Sequence, residues 1–270
     1  MSDKIPRIIH QLWLQTEKYV PDKFREYSSK IKEINKDFKY VFWDENKILD
    51  LIKGNAEYMK TYYSFSYMHQ KIDFAKYIIL YTFGGIFIDM DAYTIRSLRD
   101  LYEFKTDSGK LIEDYDVVVS YITGNPVQSM LMCMQTKCIN NGNILCKPEA
   151  DFMKSLINEI INGDRCGDFT LKMDCISDTT GPVLVNKLIK KYKGRSQIKI
   201  LNKEFLEPCV KNDCKITKNS YILHKHAQTW VDGPLKTISD FFENNQTIII
   251  IVVISAILFF FRDKIVSLID

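Results

Sequence analysis

Two carboxylates separated by one residue, Asp89-Met90-Asp91, follow the apolar run Ile86-Phe87-Ile88. Such a pair can hold a divalent cation against a diphosphate. A lone D-x-D is also an ordinary solvated turn. Its place directly after a wholly apolar strand puts it on the rim of a sheet, where α/β proteins bind ligands. Asp73 and Lys76 lie three residues apart, so a helix would set them on one face. That spacing is common in surface ion pairs. Here the neighbours Ile72, Phe74, Ile78, Ile79 and Leu80 are apolar, and a charge on a buried helix needs a partner or a task.

The elements that must position these groups are readable from pattern. Ile8 to Leu14 is β-prone after Pro6 and predicts a first strand. Pro21 to Asn35 predicts an exposed helix, and Tyr40 to Trp43 a short strand followed by a helix that Asp44 can cap. Tyr67 to Phe83 predicts a long helix ended by Gly84-Gly85, then the strand Ile86 to Ile88. Further strands are expected at Asp116–Ile122, Ile198–Leu201 and Tyr221–Leu223, with helices at Phe152–Ile161 and Val183–Tyr192. Strand and helix alternate at first and then irregularly, which predicts one α/β domain with a mixed sheet.

The stretch Lys71 to Asp91, KIDFAKYIILYTFGGIFIDMD, resembles the signature of glycosyltransferase family 32. The opening IPRIIHQLW is similar to that family's first strand. Asn140-Asn141-Gly142 with Lys147-Pro148 resembles its asparagine segment, Thr180-Gly181-Pro182 its T-G-P, and His224 with Thr229-Trp230 its closing H-x4-S-W. These motifs stand in family order across roughly residues 5 to 230.

The resemblance implies a GT-A-like mixed sheet flanked by helices, a UDP- or GDP-hexose donor, Mn²⁺ or Mg²⁺, and retention of anomeric configuration. It implies that Trp13 stacks on or flanks the base. Asp73 would bind ribose or donor sugar, and Asp89 and Asp91 would hold ribose and metal, Asp91 directly. Asn141 would approach the sugar, Gly85 and Gly181 fall to the donor site, and His224 and Trp230 would close over metal and diphosphate. Lys76 replaces the family's usual arginine, losing a bidentate fork while keeping one charge. Thr229 replaces serine, and His226 is an alternative ligand to His224. Each histidine, and Trp13, has a purely structural alternative.

The implied reaction moves mannose, galactose or glucose onto a glycan or lipid hydroxyl. Charge developing on the departing diphosphate would meet the cation at Asp89/Asp91 together with Lys76 or a histidine. The sequence marks no carboxylate as a nucleophile, so the resemblance implies front-face displacement with the leaving phosphate as base. The alternatives are a catalytically decayed interaction protein on the same fold and a metal-dependent phosphohydrolase.

The 270 residues are 46% hydrophobic and 26% charged, which excludes wholesale disorder. A net charge of +3 gives no case for nucleic-acid binding. Seven cysteines without a C-x-x-C pair are expected to be reduced, mostly buried thiols; a lumenal protein with disulfides is the alternative. The N-terminus has no apolar signal core. Thr247 to Phe261 is 15 uncharged residues before Arg262-Asp263-Lys264, about 22 Å as a helix. That is short for a bilayer, but Arg262 and Lys264 can snorkel and let the span run to 269. The expectation is a catalytic domain over 1–240 and a single-pass C-terminal membrane anchor over 241–270. The catalytic domain is expected in the cytosol, with the ER or Golgi lumen as alternative.

Overall fold

Alternating side chains along the central strands feed two cores on opposite faces of one sheet. Phe87, Val117, Val119 and Ile144 face one core, while Ile86, Ile88, Val118 and Leu145 face the other. Both faces are covered, so these strands read as continuous apolar runs. The computed structural model describes residues 3–227, apart from 134, 165, 168, 169, 211 and 212.

The chain order begins β1 (Ile8–Leu12), α1 (Asp22–Ile34), β2 (Lys39–Trp43), α2 (Glu45–Ile52), α3 (Ala56–Ser64), α4 (Met68–Phe83), β3 (Gly85–Ile88), β4 (Ala92–Thr94) and α5 (Leu98–Tyr102). It continues with β5 (Val117–Tyr121), α6 (Pro126–Cys133), β6 (Ile139–Cys146), α7 (Asp151–Asn162), α8 (Lys172–Thr179) and α9 (Pro182–Lys191). It closes with β7 (Ile198–Leu201), α10 (Lys203–Leu206), β8 (Cys209–Val210), β9 (Asp213–Cys214) and β10 (Ile222–His224). The main sheet has the order β2-β1-β3-β6-β5-β7. It is mixed: β1 runs parallel to β2 and β3, β6 runs antiparallel to β3 and β5, and β7 runs parallel to β5.

The expected elements form within one or two residues of their predicted limits. Asp44 caps α2 by accepting from Lys47 N at 3.0 Å. Gly84 closes α4 with a φ of 63°, where an added Cβ would meet Pro148 at 2.7 Å. Two placements differ from expectation. Asn140-Asn141-Gly142, for which no strand was expected, lies in the fully buried central strand Ile139–Cys146. The late strand at 222–224 leaves the main sheet and pairs antiparallel with β4, setting His224 opposite Ala92.

The cysteines are not all reduced as expected. Cys133–Cys138, Cys166–Cys175 and Cys209–Cys214 are disulfides, and Cys146 is free and buried. No helix among the described residues is long and apolar enough to cross a membrane. The expected span at 247–261, the boundary at 240 and Trp230 lie outside the described residues.

Candidate active site

α4 brings Asp73 and Lys76 to the centre of the sheet. Most of its surface is buried, from Asp73 through Leu80. Lys76 is 3% exposed at its side chain, and its ammonium lies 3.3 Å from Asp73 Oδ1 and 3.2 Å from Asp89 Oδ1. It also donates to the carbonyl of Asn141 at 3.0 Å. An ammonium has three N–H groups, and these three acceptors take them all. Burial works against its charge, yet the carboxylates of Asp89 and Asp73 hold its pKa above the ordinary range. Lys76 therefore ties the long helix to the D-x-D loop.

Asp73 accepts from Asn141 Nδ2 at 3.0 Å and from Thr180 Oγ1 at 3.2 Å. Burial pushes its carboxyl up to about 6, against the pull of Lys76. Asn141 also donates to Tyr77 Oη at 3.0 Å, and Tyr77 donates to the Thr180 carbonyl at 2.7 Å. The asparagine segment and the T-G-P motif thus meet on Asp73. Gly181 itself packs on α8, where a Cβ would sit 2.9 Å from Ser177 Cα; its neighbour Thr180 makes the contact with Asp73.

The β4–β10 pairing carries the chain back over Asp91. Lys225 N donates to the Asp91 carbonyl at 3.0 Å, and Ala227 N to its Oδ2 at 2.7 Å. His224 Nε2 lies 3.0 Å from Asp91 Oδ1. Burial would raise Asp91, but His224 and the Ala227 N–H hold it well below the usual carboxylate range. Burial pushes Asp89 up, partly offset by Lys76. One ligand atom from each of Asp89, Asp91 and His224 lies within 4.8 Å of the others. His226 stacks on His224 with ring centroids 4.0 Å apart and turns its Nε2 to Glu207 Oε2 at 2.9 Å.

Two expected residues do not join this group. Gly85 opens β3 at the end away from Asp89, about 13 Å along a strand of four residues. There a Cβ would lie 2.4 Å from the Ile8 carbonyl, so glycine is required by the approach of β1 and β3. Trp13 packs against Phe24 at 6.0 Å between centroids, in a cluster with Val20, Phe42 and Met90. Its buried Nε1 makes no hydrogen bond to the described residues. A pocket of about 370 Å³ is lined by Leu14, Gln15, Glu45, Tyr67 and Lys71 among others, and Trp13 does not line it. The pocket lies at the N-terminal end of α4, roughly one to two helical turns from Asp73 and Lys76.

Sequence reasoning missed Gln11 and Glu207. Gln11 Nε2 donates to the Asp89 carbonyl at 3.3 Å, and its Oε1 accepts from Ser28 at 2.7 Å and Tyr40 at 2.9 Å. Its polar side chain inside an apolar first strand was the available signal. Glu207 is fully buried beside His224 and His226. Nothing in its spacing distinguishes it.

Residues 21–108 match the family described as glycosyltransferase sugar-binding region containing DXD motif. An uncharacterized glycosyltransferase of Acanthamoeba polyphaga mimivirus is 29% identical over 254 residues, 89% of each chain. Inositol phosphoceramide mannosyltransferase 1 of Schizosaccharomyces pombe is 32% identical over 93 residues, 33% of this chain and 28% of that one. Inositol phosphoceramide mannosyltransferase 2 of the same yeast is 22% identical, and the match spans 58% of its length. The chain therefore spans less than two thirds of either mannosyltransferase. The catalytic domain of alpha-toxin from Clostridium novyi superimposes with a TM-score of 0.53 at 9% identity, over 89% of this chain and 82% of that one. The fold is GT-A-like, and residues 21–108 match the sugar-binding region of DXD-motif glycosyltransferases, in line with the resemblance to family 32.

Proposed function

We propose that this protein is a metal-dependent, retaining glycosyltransferase that moves a hexose from a nucleotide-sugar donor to a glycan or lipid hydroxyl. The observation that carries the reading is the convergence of Asp89, Asp91 and His224, from distant segments, within 4.8 Å. A bound Mn²⁺ or Mg²⁺ supplies positive charge where the leaving diphosphate gathers negative charge. Asp91 and His224 fix one side of that position. Lys76 has its three N–H groups engaged, so it acts by holding Asp89 and Asp73 in place rather than by touching phosphate.

The pocket at Leu14, Gln15 and Lys71 suits the nucleoside end of the donor, since it shares α4 with the diphosphate side. The engaged carboxylates speak against a double displacement through a covalent sugar–enzyme intermediate. Asp73 accepts three hydrogen bonds, and Glu207 is buried behind His224. Neither is a free nucleophile, which supports front-face displacement with the leaving phosphate accepting the acceptor's proton. The mannosyltransferase relatives make a mannosyl donor and an inositol phosphoceramide acceptor the first pair to test.

The three disulfides support a lumenal catalytic domain, the alternative to a cytosolic one, with membrane attachment through Thr247–Phe261. The decayed-protein reading rested on Lys76 in place of arginine. Lys76 is fully satisfied in the site, which supports an active enzyme. A screen of GDP- and UDP-hexoses with lipid and glycan acceptors, with and without EDTA, tests the reading. Metal-dependent transfer with an α-configured product from an α-configured donor is expected. Metal-independent transfer, or release of free sugar alone, refutes it.

A further inference from the structure

A fully buried carboxylate stands behind the imidazole that faces the D-x-D. Glu207 follows α10 and is 0% exposed. It accepts from Asn143 Nδ2 at 2.8 Å and from Asn140 Nδ2, and lies 3.1 Å from His224 Nδ1 and 2.9 Å from His226 Nε2. Its ring partners among the described residues are the two imidazoles. A buried carboxylate costs stability that an apolar side chain of like volume would not. A purely structural site has no need of one.

The partners show what it organises. Asn140 and Asn143 belong to β6, and His224 ends β10. Asn140 passes the constraint on, since its Oδ1 accepts from Gly142 N at 2.8 Å. Gly142 adjoins the site: a Cβ there would lie 2.6 Å from Asp89 Oδ2 and 3.0 Å from His224 Cε1. One carboxylate thus fixes both walls of the space around Asp89. It also fixes the imidazole itself. With Nδ1–H donated to Glu207, the other ring nitrogen is the one aimed at Asp91, at 3.0 Å. A histidine that ligates metal is ordinarily held this way by a carboxylate on its second nitrogen.

We propose that Glu207 is a positioning residue that fixes His224 as the third ligand of a divalent cation held by Asp89 and Asp91. The proposal rests on the metal-dependent reading above. His226 stacks on His224 and its Nε2 lies 2.9 Å from the other carboxylate oxygen, outside hydrogen-bond geometry, so it packs on the ring without facing the cation.

The test is Mn²⁺ binding to the full chain without donor, followed by electron paramagnetic resonance of free Mn²⁺. Glu207→Gln keeps the shape and removes the charge. It is expected to weaken Mn²⁺ binding about 10- to 100-fold. His224→Ala is expected to weaken it similarly, and the double variant no further, because Glu207 acts through His224. Unchanged affinity in folded Glu207→Gln, or additive losses in the double variant, overturns the proposal while leaving metal dependence intact. No Mn²⁺ binding by the parent chain overturns the proposal, and the EDTA arm of the transfer screen decides metal dependence separately. Should Glu207→Gln fail to fold, ¹⁵N-histidine spectra of the unaltered chain decide. One imidazole is expected to keep a protonated Nδ1 while Mn²⁺ broadens its Nε2. If the ring that His224→Ala removes from the spectrum is not broadened, the proposal falls.

Discussion

His224 Nε2 stands 3.0 Å from Asp91 Oδ1 across 133 residues of sequence. The three-residue pairing of β4 with β10 makes this contact, and the backbone N–H of Ala227 completes the grip on Asp91. Asp91→Asn removes the charge that draws these groups together. Turnover is expected to fall at least 10²-fold, the scale for losing one charge-stabilising group, with the thermal midpoint within a few degrees of the parent. Parent-like turnover in folded Asp91→Asn would show that Asp91 is not part of the machinery.

How the sequence foretold this site differs by element. α4 and β3 were legible because an apolar helix, Gly84-Gly85 and an apolar strand each carry a local signal. Asp89 and Asp91 inherited their meaning from that frame. β6 was not legible as a strand: Ile139-Asn140-Asn141-Gly142-Asn143 has the composition of a turn. Its burial is tolerated because the amide nitrogens of Asn141 and Asn143 donate to Asp73, Tyr77 and Glu207, partners that only the fold supplies. Glu207 was hidden for the same reason. The disulfides were misjudged because C-x4-C spacing alone does not distinguish a pair from two thiols.

Lys76 balances two carboxylates, Asp73 buried and Asp89 with its side chain 29% exposed. Lys76→Ala is expected to cost about 3 kcal/mol of stability, because it leaves buried Asp73, and partly exposed Asp89, without a countercharge. Donor turnover should fall with it. Lys76→Arg is expected to retain fold and most activity, since it restores a cation to both carboxylates. Urea unfolding and donor turnover of the two variants check this. A fully stable Lys76→Ala would mean that the ion pairs contribute little.

Asp73 gives a pH signature with a defined sign. Its carboxyl is pushed from an ordinary value of 3.8 up to about 6, chiefly by burial. Between those values the folded chain binds the proton that the unfolded chain has released. As far as Asp73 is concerned, stability therefore falls as pH rises from about 4 to 6, then levels off. Asp73→Asn removes this dependence and loses hydrogen bonds by a constant amount. The stability difference between parent and variant should shift towards the variant by up to about 3 kcal/mol over that window. Urea midpoints at pH 4.5, 5.5 and 6.5 measure it, and a difference that does not move with pH would place the Asp73 pKa near its ordinary value.

Three disulfides leave one thiol in seven. Alkylation of the chain in denaturant, before reduction, is expected to label Cys146 alone, and after reduction all seven cysteines. Folded protein should react slowly even at Cys146, whose thiol is buried and held above its usual pKa by that burial. Mass spectrometry of chain purified under non-reducing conditions counts the labels. Seven labels without reduction would remove the argument for an oxidising compartment and favour the cytosolic side.

Two truncations separate the tail's role in the site from a role in the membrane. Ala227 N–H reaches Asp91, and Lys225 N–H the Asp91 carbonyl, so the chain must continue at least that far to hold the D-x-D. Cutting after His224 removes both donors and should abolish turnover. Cutting after Asp240 keeps them and removes Thr247–Phe261, the 15-residue apolar run. If that run anchors the enzyme in a bilayer, it adds nothing to the core, and the shortened chain should be soluble without detergent and active. If it packs on the catalytic core instead, its loss exposes a surface whose burial, at about 25 cal/mol per Å², rivals a typical total stability of about 5–15 kcal/mol. The shortened chain would then aggregate. Solubility and turnover of the two truncated proteins, with the full chain partitioned between detergent and buffer, decide between anchor and core.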